Sequence, residues 1–87
     1  LRAGIVSRVT PVDDLMPTAL KLATRIAGHA PLAVRAVKEV ALAAMDETFD
    51  QSMRLGGALR WVVGQTDDAK EGPRAFVEKR EANYKGQ

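Results

Sequence analysis

The sequence predicts an all-α domain, a small bundle of three to four helices carrying a short strand remnant at its N-terminal end. Three observations predict it. Apolar residues recur at helical spacing through most of the chain. Pro and Gly fall where helices start and stop, as in "GHAP" at 28–31 and "GPR" at 72–74. A composition of 46% hydrophobic and 28% charged residues is globular rather than disordered. The division expected is a strand and linker over residues 1–12, followed by a helical unit over residues 13–87.

The opening "LRAGIVSRVTP" has the β-branched content of a strand, with Ile5 and Val9 on one face and Val6 on the other. A lone strand lacks a ladder partner, so this stretch reads as the end of something longer. Pro11 breaks it, and Asp13-Asp14 supply acid for the first turn of a helix over about 14–29. Leu15, Ala19, Leu22, Ala23 and Ile26 form its apolar stripe, and Pro17 falls early enough to be tolerated. Pro31 suits the first position of a second helix, over about 31–45, with Leu32, Val37, Val40, Ala41 and Ala44 inward. "DETF" at 46–49 reorients the chain into a third helix, over about 48–64, whose stripe is Met53, Leu55, Leu59, Val62 and Val63. Gly56-Gly57 in its middle cost roughly 1 kcal/mol each against alanine and suggest a kink or a close helix contact. Thr66 caps a short turn over 67–71, Gly72-Pro73 interrupts it, and a last helix runs over about 73–83 before a fraying "YKGQ" tail.

At 87 residues a single core is marginally stable, and this one must be built from alanine and aliphatic side chains, with one Trp, one Tyr and two Phe. Such stripes bury little area each, so the domain is expected to lean on a partner surface. A net charge of +2 is too weak to argue for nucleic acid. With no cysteine there is no disulfide framework or thiolate metal site. No apolar run reaches about 18 residues and no signal-peptide pattern opens the chain, so a cytoplasmic location and no membrane span are the default expectations.

Few residues look chemical. His29 lacks a neighbouring nucleophile or carboxylate and suits a helix C-terminus. Asp67 and Asp68 follow Thr66, where acid caps a helix, and no further ligands at defined spacing suggest a metal. Trp61, followed by Val62 and Val63, reads as packing. Phe76 and Lys79 share a helix face three residues apart. They are either an aromatic anchor with a snorkelling lysine, or an apolar wall with a cation poised for phosphate.

The order of segments resembles the C-terminal part of the enoyl-CoA hydratase/isomerase (crotonase) family. "AGIVSRVTP" is similar to the strand that leaves that family's core, "APLAVRAVKEVA" to a following helix, and "TDDAKEGPRAFVEKREANYKG" to its closing signature. The resemblance implies a C-terminal oligomerisation domain on a core of repeated ββα turns, assembled as trimers or dimers of trimers. It implies an acyl-CoA substrate and no further cofactor, with two backbone N–H groups stabilising an enolate-like oxygen and, in hydratases, two glutamates handling water. None of those groups matches a residue here, so the segment alone is expected to be inactive, with no catalytic and no metal-ligating residue. Two positions carry over: Phe76 beside the acyl-CoA pocket, and Lys79 toward the adenosine-phosphate end of CoA. Gly56 departs from the pattern, standing where family members commonly carry an acid. The parent implied is an enoyl-CoA hydratase adding water to a 2-enoyl-CoA. The alternatives are an isomerase or other chemistry of that family, or a free-standing helical interaction or nucleic-acid module.

Overall fold

The computed structural model describes residues 2–87. Four helices follow in order: α1 Val12–Ala27, α2 Pro31–Ala43, α3 Phe49–Gly64 and α4 Asp67–Glu78. The all-α expectation holds, and no strand occurs among the described residues. The expected strand at 4–9 is instead exposed bend and irregular chain, with Ile5 87% exposed. Its β-branched residues find no ladder among the described residues.

α1 begins at Val12 behind Pro11 and has no side-chain cap, so Asp13 and Asp14 serve the helix dipole rather than capping. Pro17 therefore falls in the second turn, where it cannot donate to the Asp13 carbonyl. α2 starts on Pro31, as its fixed φ favours. α3 opens with a capping box in which the Thr48 hydroxyl accepts from the Gln51 backbone N–H at 3.3 Å and the Gln51 side-chain Oε1 accepts from the Thr48 backbone N–H at 2.9 Å. Thr66 caps α4 by accepting from the Ala69 N–H at 3.2 Å.

α4 corrects the expected interruption at Gly72-Pro73, because one helix runs from Asp67 to Glu78. Proline disfavours helix in the preceding residue largely by clashing with its Cβ, and Gly72 has none. The cost left is one missing hydrogen bond to the Ala69 carbonyl.

The helices do not close on a common core. α2 packs along α3, α3 meets α4 more briefly, and α1 makes no extended contact with the other three. The radius of gyration is 16.3 Å, against about 12 Å for a compact chain of this length. The surface is 7681 Å², about half as much again as a compact 9.4 kDa monomer exposes. Ala75, Ser52 and Asp68 are the buried residues among those described. The predicted inward stripes are covered only in part: Leu32, Val40, Leu55, Leu59 and Val63 are half-buried where α2 packs along α3. Leu15, Leu22 and Ile26 of α1 are exposed, as are Val37 of α2 and Met53 and Val62 of α3. Trp61, expected to pack, is 69% exposed. It lies on the outer side of α3, where no second layer of the chain reaches it.

The close contact suggested by the glycine pair is real for Gly56, whose position meets the Val40 side chain of α2 at ordinary van der Waals distance. Gly57 faces open space. Between α2 and α3 runs an apolar groove of about 680 Å³, lined by Ala33, Ala36, Val40, Leu59 and Val63, with Arg60 at its edge. An alanine at Gly57 meets nothing and gains helix propensity. Gly57→Ala should therefore stabilise α3 by about 0.5–1 kcal/mol, measured as a raised urea midpoint of the helical circular-dichroism signal.

Candidate functional site

The tail "ANYKGQ" does not fray. It folds back along α4 as an extended strap, and two carboxylates one helical turn apart hold it. Asp68 lies in the first turn of α4 and Glu71 three residues on, so both point from the same face. The Asp68 carboxylate accepts from the Lys85 N–H at 2.7 Å and the Gly86 N–H at 2.8 Å, while the Asp68 N–H donates to the Gln87 carbonyl at 3.1 Å. Two successive amides converge on one carboxylate because Gly86 takes a φ of +77°, open to glycine at no steric cost. The Glu71 carboxylate accepts from the Asn83 N–H at 2.9 Å. Between these ties the Tyr84 hydroxyl comes so close to Gly72 that a Cβ there would lie 3.0 Å from it. Beyond them Gly86 approaches the Pro31 ring, so the strap reaches from the end of α4 to the start of α2.

Arg80 fastens the reversal. Its guanidinium donates two parallel hydrogen bonds to Glu71, at 2.5 and 2.9 Å, and a third from Nε to Glu78 at 2.5 Å. Arg74 donates to the same Glu78 at 3.0 Å. The paired forks and the 17% exposure of the Glu71 side chain separate this contact from an ordinary surface pair. The Arg80 hydrogen bonds, aided by the Asn83 N–H, hold the Glu71 carboxyl down at about 2. Glu78 is also lowered, by Arg80 and then Arg74, and the Arg80 guanidinium is raised by both partners.

Of the two residues singled out by resemblance, Phe76 lies in the last turn of α4 and is 85% exposed. Lys79 does not continue the helix. It caps it in the left-handed region, φ 54° and ψ 39°, the one non-glycine residue with positive φ among those described. The Arg80 N–H bonds the Ala75 carbonyl at 3.1 Å and the Lys79 N–H bonds the Phe76 carbonyl at 3.3 Å, the paired bonds of a Schellman end. Glycine ordinarily takes that place, and lysine there costs about 1 kcal/mol. Phe76 and Lys79 are therefore joined through the backbone rather than stacked along one helix face.

The other candidates separate from this cluster. Asp67 pairs with Lys70 at 3.2 Å, and Asp68 is the buried anchor of the strap rather than a solvated first-turn acid. His29 is exposed just beyond α1, its N–H bonded to the Ile26 carbonyl. Among the described residues no three His, Asp or Glu cluster as a metal site would need, and no helix is long and apolar enough to cross a membrane. Composition did not point to Asp68, Glu71 and Arg80 as a unit. The available signal was acid at 68 and 71 on one helix face, with an arginine just past the helix end.

The geometry defines a helical segment whose last helix, locked by its own tail, presents an exposed ring and a cation at its C-terminal end. The chain belongs to the enoyl-CoA hydratase/isomerase family, whose model matches residues 1–87. It is 42% identical over 90 residues to a carnitinyl-CoA dehydratase of Proteus mirabilis, covering 99% of this chain and 34% of that protein. It is 38% identical over 86 residues to a mitochondrial enoyl-CoA hydratase of Pongo abelii, covering 99% and 30%. Among solved structures, an enoyl-CoA hydratase of Bacillus anthracis superposes with a TM-score of 0.95 at 34% identity, covering 99% of this chain and 33% of that one. An enoyl-CoA hydratase/isomerase of Mycobacterium paratuberculosis gives 0.92 at 35%, covering 99% and 34%. The chain thus spans about a third of the length of these relatives. At such scores over nearly every residue, the open layout of the four helices is shared with those proteins.

Glu71 is bound as the anion in the folded chain, so its contribution is complete above the ordinary carboxylate range, near 4.5, and is lost as pH falls through about 2. The expected outcome is that the Asn83 amide signal, followed by NMR in an acid titration, holds its strapped position above that range. It should then move toward a free-chain value as pH falls through about 2.

Proposed function

We propose that this chain is the C-terminal assembly and CoA-wall segment of an acyl-CoA enzyme, whose reaction is the addition of water to a 2-enoyl-CoA thioester. The observation that carries the reading is the match to "AFVEKR" at the end of α4, within a family resemblance that spans the whole chain. Relatives named as a hydratase and as a dehydratase support water chemistry in either direction as the reaction class. Phe76 offers an apolar ring to the acyl-CoA, and Lys79 a flexible point charge suited to a phosphate oxygen. The groups that do the chemistry belong to the family's ββα core, and no residue of this chain corresponds to them.

The exposed stripes support the assembly half of the reading. α1 leaves Leu15, Leu22 and Ile26 uncovered, and the groove between α2 and α3 is open. The excess over a compact monomer, roughly 2,500 Å², is of the order that obligate interfaces bury.

Two measurements test these halves. In the full-length enzyme bearing this segment, Lys79→Ala should weaken binding of a CoA thioester about tenfold, the worth of one charge-assisted hydrogen bond. An analogue lacking the adenosine ribose phosphate should lose little, and equal loss for both ligands would count against the phosphate role. For assembly, the 87-residue chain should show a mass in light scattering that rises with concentration. A well-folded monomer of constant mass would refute it.

A further inference from the structure

The strap has a consequence for the residue it adjoins. We infer that Glu71 is a positioning residue for Lys79. By gripping Arg80 and Asn83 it forces the chain to reverse at Lys79, fixing where that side chain leaves the backbone. The inference rests on the reading of Lys79 as the CoA-phosphate cation.

Three observations on the molecule converge on it. Lys79 occupies a left-handed backbone conformation that lysine disfavours, so something outside the residue must impose it. The Schellman bonds from Lys79 and Arg80 hold the residue on its helix side. On its other side Arg80 is clamped bidentately to Glu71, and four residues past Lys79 the Asn83 amide is tied to the same carboxylate. A single side chain on α4 thereby closes a loop over residues 71–83 with Lys79 at its turn. Asp68 extends the closure to Lys85 and Gly86 and is 4% exposed, so the second tie is shielded from water.

Of the cations around the clamp, Lys79 at the turn and Lys85 on the strap carry no recorded ion pair among the described residues, and Lys79 is the one that the reversal positions. Arg74 and Arg80 are both engaged by Glu78 or Glu71, and Lys70 by Asp67, whereas the structure records no ion pair for Lys79 among the described residues. A lysine on a flexible chain end loses much of its binding strength to disorder. One launched from a locked turn keeps more of it, because less rotational freedom is lost on binding.

The test is a double-mutant cycle in the full-length enzyme carrying this segment, read with a CoA thioester and with its analogue lacking the adenosine ribose phosphate. Glu71→Ala should raise KM for the thioester about tenfold at unchanged kcat and leave the analogue nearly unaffected. Glu71→Gln keeps an acceptor for Asn83 and should lose less. Glu71→Ala combined with Lys79→Ala should be no weaker than Lys79→Ala alone, because the carboxylate acts through the lysine. Equal loss for both ligands, or additive losses in the double variant, would overturn the inference. A separate readout keeps it distinct from the phosphate reading: the one-bond Cα–Hα coupling of Lys79 in the 87-residue chain reports its positive φ. Glu71→Ala should abolish that signature, and its persistence would overturn the inference even if Lys79 does contact phosphate. A normal signature change with no ligand selectivity in Lys79→Ala would instead remove the phosphate role alone.

Discussion

Backbone amides of an extended segment must find acceptors, and here two side chains of one helix supply them. Asp68 and Glu71, one turn apart, bind the amides of Lys85, Gly86 and Asn83, doing for the tail what a neighbouring strand would do in a sheet. Three features depend on that pairing. Gly72 keeps the face of α4 bare where Tyr84 lies against it, and Gly86 supplies the turn that converges two amides on Asp68. Lys79 adopts a left-handed conformation because the chain must double back to reach the carboxylates. With little apolar core to organise α4, charge-assisted hydrogen bonds set its end.

The rest of the chain leaves apolar faces open, which supports the proposed assembly role. Helices α2 and α3 approach closely at Val40 and Gly56 and half-bury Leu32, Leu55, Leu59 and Val63, yet Val37, Leu42, Met53 and Val62 and nearly all of α1 stay open. The helices spread over a slab of 42 × 39 × 18 Å and do not close on a common core. The same layout recurs in solved relatives three times as long, so openness belongs to the segment's design within the family. Apolar stripes with correct helical period and no cover inside the chain are what an interface looks like when its partner surface is elsewhere.

The sequence was legible where local rules govern. Pro31 placed the start of α2, Thr66 capped α4, and the stripe of α3 set its extent to Gly64. The Thr48–Gln51 capping box is also written in the sequence, as a T-x-x-Q pattern. Long-range closure was illegible for a physical reason. Helical period tells which residues share a face but not whether anything covers it, so Leu15, Val37 and Trp61 were expected inward and are exposed. Gly72-Pro73 reads as a break because proline usually ends a helix, whereas glycine before it relieves the clash and α4 continues. The tail looked free since its anchors are 12 to 18 residues away in sequence. In the candidate site, Phe76 and Lys79 came from family resemblance, and the carboxylates that organise them only from the folded chain.

The carboxylates of α4 hold the tail, and amide hydrogen exchange with and without Asp68 tests this most directly. In the unaltered chain Lys85 and Gly86 should exchange slowly although they lie outside every helix. In Asp68→Ala both should accelerate toward free-chain rates while the amides of α3 keep their protection. Unchanged slow exchange at Lys85 and Gly86 in that variant would contradict the account.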